Sequence, residues 1–340
     1  MDEEKFQRIL VTGGMGFIGS NFIHYLLSDK NKFEKILNLD NLSLGSNGEN
    51  LNDVENKESY EFYQGDIVNR DLLSDLISEV DAVVNFAAET HVDRSISNPE
   101  PFLESNTQGV FSILDSIREN GGNTRFVQVS TDEVYGDIME GSFTEKSNLD
   151  PSNPYSATKA AADMLVLSYN RTYGIDASIT RCTNNFGPYQ FPEKLIPKTI
   201  IRGTNDLKIP VYGTGENIRD WLYVRDHCSA IEQVLEKGEK GEIYNISSGK
   251  EIQNIQLVKK IIDKIGKDED LIEFVEDRPG HDYRYSLDST KLRKELNWQP
   301  EHSFEEALQE TIDWYLENEE WWEPLADKDI LSPRPWEENW

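Results

Sequence analysis

Short apolar runs alternate with segments of helical period through the first half of the chain. Arg8-Ile9-Leu10-Val11-Thr12 is a β-branched strand, and Phe22, Ile23, Leu26 and Leu27 after it fall on one helical face. A second strand starts at Lys35 and ends at Asp40, and a polar loop runs on to about Tyr60. The pattern then predicts a strand over 61–67, a helix over 70–78 and a strand over 82–86. A long helix over 99–120, a buried strand over 125–130 and a helix carrying Tyr155 follow. Strands alternating with helices of this length predict an α/β chain with a Rossmann-type doubly wound parallel sheet.

Beyond Thr180 the rhythm loosens. Turn-rich stretches at 184–189 and 213–217 flank a helical run over 195–201, and a strand over 219–224 leads into a helix that stops near Gly238. Ser303-x-x-Glu306 is a capping box ahead of Phe304, Ala307, Leu308, Ile312 and Tyr315 at helical spacing. The organisation expected is a dinucleotide-binding domain over 1–183, with a segment over 218–247 returning to it. Residues 184–217 and 248–340 then make a smaller mixed α/β substrate lobe.

Composition narrows the classes. The 340 residues are 37% hydrophobic, enough for a large core. Cys182 and Cys228 offer no disulfide framework, and five scattered histidines show no metal spacing. No apolar run approaches the ~20 residues that span a bilayer, and the acidic residues 1–5 lead straight into a strand, so no membrane partner and a cytoplasmic location are expected. The formal net charge of −29 argues against a nucleic-acid partner, because phosphates would be repelled. It leaves open whether the surface is simply acidic or suits a saline cytoplasm.

The first chemical motif follows the first strand. Gly13-Gly14-Met15-Gly16-Phe17-Ile18-Gly19 fits a glycine-rich turn that opens a helix, where backbone can approach a pyrophosphate at the helix N-terminus. Asp40 ends the next strand, 21 residues beyond Gly19. A carboxylate there can accept from both adenosine ribose hydroxyls and repels a 2′-phosphate, so NAD is favoured over NADP. Asp66 is placed to meet the adenine edge, and Ala87-Ala88 allow close approach of the cofactor.

The second motif combines Thr131-Asp132-Glu133 with Tyr155-Ser156-Ala157-Thr158-Lys159. Tyr155 and Lys159 share one face of a helix, and an ammonium beside a phenol lowers its pKa toward the range of a general base. Such a pair is common on ordinary amphipathic helices. Here it comes with two acids at the carboxyl end of a buried strand, where ligands of open α/β sheets bind. Two further acid/base groups exceed what alcohol oxidation needs, so elimination of water is expected.

Longer motifs carry a resemblance. They include Thr90-His91-Val92-Asp93-Arg94-Ser95, Ser130-Thr131-Asp132-Glu133-Val134-Tyr135-Gly136 and Asn153-Pro154-Tyr155-Ser156-Ala157-Thr158-Lys159. Asn184 to Pro197, Arg219-Asp220-Trp221-Leu222-Tyr223-Val224, Arg278-Pro279-Gly280-His281-Asp282 and Trp321-Trp322-Glu323-Pro324-Leu325 extend it over nearly the whole chain. The chain resembles the dTDP-glucose 4,6-dehydratase family of the extended short-chain dehydrogenase/reductases. That resemblance implies a cycle in which Tyr155 takes the C4 hydroxyl proton as hydride leaves for NAD. Glu133 then removes the C5 proton, Asp132 protonates the departing C6 hydroxyl, and hydride returns to C6. It implies that Thr131 contacts the sugar, and that Ile67, Ala88, Ser105, Lys159 and Asn185 join the glycine motif and Asp40 around NAD. It places the nucleotide-sugar against His91, Asn184, Lys194, Leu195, Tyr212, Arg219, Asn254, Arg278 and His281.

Other readings share parts of this set. UDP-sugar 4-epimerases and UDP-glucuronate decarboxylases would share the NAD site and the Tyr155–Lys159 pair, and UDP- or CDP-glucose dehydratases even the acids. A non-catalytic NAD-binding regulator would not need the acids. In the same superfamily the helices over 99–120 and 155–173 pair across a two-fold axis, so a homodimer is expected, with Ala157, Ala160, Ala161 and Ala162 permitting close approach.

Overall fold

Alternation of side chains across a strand decides how the first half folds. In the computed structural model, which describes residues 6–28, 33–327 and 329–338, β1 (Arg8–Thr12) sends Ile9 and Val11 to one face and Leu10 to the other. Strands buried on both faces need helices on both. Strands β2 (Lys35–Asp40), β3 (Tyr60–Gln64), β4 (Ala82–Asn85), β5 (Arg125–Thr131) and β6 (Ala177–Cys182) join β1 in this way. With β7 (Asn184–Phe186), β8 (Ile209–Tyr212), β9 (Ile218–Tyr223) and β10 (Ile243–Ile246) numbered along the chain, the large sheet has the order β10-β6-β5-β4-β1-β2-β3. All its pairings are parallel. The order reverses at β1, where β2 and β4 flank it, and the crevice above that point is where such sheets bind ligands.

Helix α1 (Phe17–Ser28) buries Phe22, Ile23, Leu26 and Leu27 on one face of the sheet. Helix α2 (Arg70–Ile77) is capped by Asn69 and packs on the other. The helical stretch expected over 99–120 is continuous but not uniform. After the short α3 (Val92–Ser97), α4 (Glu100–Phe102) passes into a π-helical segment, Leu103–Gly109, before α5 (Val110–Glu119). Asn106 within that segment bonds the backbone N–H and C=O of Glu89 and the Thr158 hydroxyl, so a side-chain anchor sits where the turn widens. Helix α6 (Pro154–Tyr173) starts on an Asn153–Ser156 capping box with Pro154 in its first turn, and stops at Gly174 with φ 73°.

The second half supplies two small sheets. Strands β7, β9 and β11 (Glu251–Gln253) form one, and β8 with β12 (Ile272–Val275) the other. Helices α7 (Leu195–Thr204) and α9 (Asn254–Lys264) pack together beside them, over a core of Ile209, Val211, Val258 and Ile262. Of the segment over 218–247, β9 lies in the three-stranded sheet, whereas α8 (Val224–Lys237) packs on α1 and β10 pairs with β6. Helices α10 (Thr290–Leu296) and α11 (Phe304–Glu317) close the chain against the first core, α11 capped by Ser303. Among the described residues no helix is long and apolar enough to cross a membrane, and no cluster could hold a metal ion. The acidic stretch over 1–5 lies outside the described residues.

Candidate active site

The carboxyl ends of β1, β2, β4, β5 and β6 open into one cavity, and every residue expected around NAD lines it. Gly13, Gly16, Phe17, Ile18 and Gly19 form its floor, with Asp40, Asp66, Ile67, Ala87, Ala88, Ser105, Tyr155, Lys159 and Asn185 around them. Gly13 has φ +70°, and a Cβ on it would fall 2.5 Å from the Ala87 backbone nitrogen. No larger residue fits that approach. Asp40 is buried, and its two oxygens accept from the backbone N–H groups of Met15 and Leu42 at 2.9 and 2.7 Å. The Ser46 side chain adds a further hydrogen bond, and the carboxylate still keeps an acceptor position for a ribose hydroxyl. Asp66 lies two residues past β3 rather than at its end, tied to Asn41 and to the Val68 N–H. A glycine floor, a helix N-terminus and a buried carboxylate together fit an NAD-type dinucleotide.

Thr131, Asp132 and Glu133 sit where β5 turns into a 3-10 segment, and all three face the same cavity as Tyr155 and Lys159. The Thr131 hydroxyl donates to Asp132 Oδ1 at 3.1 Å, accepts from the Glu133 N–H and lies within hydrogen-bonding reach of the Tyr155 phenol. Burial, reinforced by the Glu133 carboxylate, pushes Asp132 up to about 8. Its Oδ2 is buried without a hydrogen-bond partner among the described residues. Glu133 is half-buried and is also pushed up by desolvation, but Arg278 and Arg219 pull it back. The two neighbouring carboxyls therefore differ: one holds its proton near neutrality, while the other has two guanidinium groups favouring its charge.

The tyrosine departs from expectation. Burial and the Glu133 carboxylate hold the Tyr155 phenol well above 10 instead of lowering it. Lys159 donates to the Val129 carbonyl at 2.7 Å, and burial brings the ammonium itself down to about 8. The lysine is thus spent first on the strand, not on the phenol. Among the leading influences on the phenol, the Thr131 hydrogen bond favours the phenolate.

A second cavity adjoins the first. Thr90, Glu133, Asn184, Glu193 and Lys194 line both. His91, Asn184, Lys194, Leu195, Tyr212, Arg219, Asn254, Arg278 and His281 all line the second, so the residues expected around the nucleotide-sugar are brought together. Their partners were not foreseen. Arg278 pairs with Asp93 at 2.7 Å, and Tyr212 donates to the same carboxylate at 3.1 Å. Arg94 pairs with Glu193 at 3.0 Å. Arg219 donates to the carbonyls of Asp282 and Tyr283, with its guanidinium 4.2 Å from the Tyr285 ring centre. Burial and the nearby Arg278 and Arg219 push His281 down to about 4, so its Nδ1 donates to Asp277 as a neutral ring. Asp93, Arg94 and Glu193 stand inside conspicuous sequence motifs, but nothing in their spacing reveals which charge meets which.

A family model described as GDP-mannose 4,6 dehydratase matches residues 10–311. The chain is 51% identical over 312 residues to the low-salt glycan biosynthesis protein Agl12 of Haloferax volcanii, covering 92% of this chain and 99% of that one. It is 46% identical to a dTDP-glucose 4,6-dehydratase of Streptomyces niveus, covering 96% of this chain and 98% of the relative. DesIV, a dTDP-glucose 4,6-dehydratase of Streptomyces venezuelae solved with NAD bound, aligns with a TM-score of 0.93 at 46% identity, over 94% of this chain and 100% of that one. Near-complete coverage in sequence and in fold has one consequence: the chain belongs to the GDP-mannose 4,6 dehydratase family and, within it, to the dTDP-glucose 4,6-dehydratases.

Proposed function

We propose that this protein dehydrates dTDP-glucose to dTDP-4-keto-6-deoxyglucose with NAD as a resident cofactor. The observation that carries the reading is the pair Asp132 and Glu133, adjacent in sequence, opening beside Tyr155, and set in different surroundings: burial and the Glu133 carboxylate raise Asp132 to about 8, whereas Arg278 and Arg219 oppose the rise of Glu133. An epimerase or decarboxylase has no use for such a pair. Gly13, Gly16, Phe17, Ile18 and Gly19 would hold the pyrophosphate, Asp40 the adenosine ribose, Asp66 and Ile67 the adenine edge, and Ala87, Ala88, Ser105, Lys159 and Asn185 the rest of the cofactor. NAD, when bound, supplies the acceptor for hydride from C4 and its later donor to C6.

The chain's own groups do the proton work. Thr131 hydrogen-bonds the Tyr155 oxygen, and it is Tyr155 in its phenolate form that would take the C4 hydroxyl proton. A ketone at C4 acidifies C5, and Glu133, whose charged form Arg278 and Arg219 favour against the effect of burial, would take that proton as the carboxylate. Asp132, protonated at neutral pH, gives its proton to the departing C6 oxygen. Arg219, Arg278, Lys194 and His281 would bind the diphosphate, guanidinium forks matching phosphate oxygens. His91, Asn184, Leu195, Tyr212 and Asn254 would complete the substrate wall.

Residues 1–183 with α8 and β10 would form the cofactor domain, and most of the remainder the substrate lobe. A homodimer through α5 and α6 also fits. On α6, Ala157, Ala161 and Met164 are exposed on one face, and Leu103 and Tyr173 are exposed nearby on the same pair of helical stretches. Ala160 and Ala162 point into the core instead, so only two of the four alanines are free to meet a partner. Purified protein incubated with dTDP-, UDP- and CDP-glucose tests the function. A 4-keto-6-deoxy sugar should form fastest from dTDP-glucose. A C4 epimer as the product would overturn the reading.

A further inference from the structure

Helix α7 carries a second lysine that the proposed reaction does not use. Lys198 lies four residues beyond Lys194, the N-cap of that helix, about 6 Å along the axis. It lines the substrate cavity together with Leu195, Pro210, Val211, Tyr212 and Val258. Lys194 and Glu133 line both cavities and so mark the reacting end, whereas Lys198 lines only the second. The residue is 6% exposed. Its one hydrogen bond among the described residues goes to the Ser332 carbonyl at 3.1 Å. An ammonium has three donors, and two buried donors without acceptors are costly unless a ligand accepts from them. Burial brings Lys198 down to about 8, opposed by Asp93 and Glu193.

What aims Lys198 lies outside the span of the family match, which ends at residue 311. Ser332 accepts from Lys198, and Leu331 next to it accepts from Arg202 at 2.8 Å. The 3-10 turn Pro335–Glu337 packs on α3, and Trp336 meets the Tyr212 ring edge-on with centroids 4.9 Å apart. A carboxy-terminal strap thus touches two groups of the substrate-cavity wall, Lys198 and Tyr212.

We propose that Lys198 is a specificity-determining residue that donates a hydrogen bond to the position-4 carbonyl of the nucleotide's base, selecting thymine or uracil over cytosine. The assignment rests on the proposed function. With the sugar at Glu133 and Tyr155 and the diphosphate at Arg219, Arg278, Lys194 and His281, the base is left to the wall of Lys198, Pro210, Val211 and Val258. An ammonium only donates. Thymine and uracil present an accepting carbonyl at position 4, where cytosine presents an amino group that also only donates.

Calorimetric binding of dTDP, UDP, CDP and GDP to the full chain and to two variants tests it. The parent should prefer dTDP and UDP. Lys198→Met should weaken both by roughly 10- to 100-fold, the worth of a hydrogen bond to a charged group, while changing CDP far less. Lys198→Gln, whose amide both donates and accepts, should shift the ratio toward CDP and keeps the test open if the methionine variant does not fold. With dTDP-glucose as substrate, the loss should fall on KM and not on kcat. Equal weakening of all pyrimidine diphosphates would assign Lys198 to phosphate or ribose and overturn the proposal. An unchanged dTDP-to-CDP ratio in both variants would also overturn it, leaving the dehydratase reading intact. A parent that prefers GDP would instead overturn that reading and the proposal with it.

Discussion

The two cavities are built by opposite means. The cofactor cavity is made of backbone: strand ends, a glycine turn too tight for a Cβ, and N–H groups that already hold Asp40. The substrate cavity is made of charged side chains from distant parts of the chain, Arg278 reaching Asp93 across 185 positions and Arg94 reaching Glu193 across 99. The first is shaped by folding of the sheet alone. The second is held by ion pairs, and a diphosphate bound as proposed would share Arg278 with Asp93. Buried pairs of this kind contribute little net stability but fix geometry, and breaking one leaves an uncompensated charge.

The proposed base Glu133 stands where the two meet, and the largest expected effect is there. Glu133→Gln keeps size and hydrogen-bonding capacity but removes basicity, so elimination should slow by roughly 10²–10⁴-fold. Oxidation at C4 should survive, and a 4-keto sugar with its C5 deuterium retained should accumulate in single-turnover experiments. Tyr155→Phe should block the C4 step itself. Elimination at the parental rate by the Glu133→Gln enzyme would remove Glu133 from the mechanism.

The contrast also explains what the sequence made legible. The glycine turn, Asp40, the acids after β5 and the helix of Tyr155 are local patterns, each set by a strand end or a helix face. Their placement follows once the alternation is read. Even so, the widened π turn at Leu103–Gly109 escaped, because it depends on Asn106 finding Glu89 and Thr158. The expected fall in the Tyr155 pKa failed for a similar reason. Four-residue spacing puts Lys159 on the right face, but not how deeply both groups are buried or that the Val129 carbonyl claims the ammonium. Ion pairs such as Asp93–Arg278 are invisible along the chain, since any acid can pair with any base until the fold chooses.

Removing one partner tests the two cavities separately. Asp93→Ala strips Arg278 and Tyr212 of a shared acceptor, and should cost about 3–5 kcal/mol of stability, the usual penalty for orphaning a buried charge. It should raise KM for the nucleotide-sugar while leaving NAD binding unchanged, read by denaturant unfolding beside steady-state kinetics. Asp40→Ala is the counterpart in the cofactor cavity. Loss of a charged acceptor for ribose hydroxyls should weaken NAD by roughly 10-fold or more and narrow its advantage over NADP, with KM for the sugar unaffected. If either substitution perturbs both ligands equally, the cavities are not independent.

The smallest effect, a few degrees, isolates the proton on Asp132. Burial and the Glu133 carboxylate raise its pKa from 3.8 to about 8. Between those values the folded protein keeps a proton that the unfolded chain has released. Stability therefore falls as pH rises across that window, by up to about 1.4 kcal/mol per pH unit, and levels off above 8. Asparagine cannot ionise in either state, so Asp132→Asn removes the penalty. His227, pushed by burial down to about 3, drives an opposite trend between that value and 6.5, but it does so in both proteins and cancels in the difference. The variant should melt with the parent near pH 4 and a few degrees above it at pH 8, while its elimination step is slowed for want of an acid. A gap that stays constant from pH 4 to 8 would mean that Asp132 is ionised in the folded protein. The acid that serves the C6 oxygen would then have to be sought elsewhere.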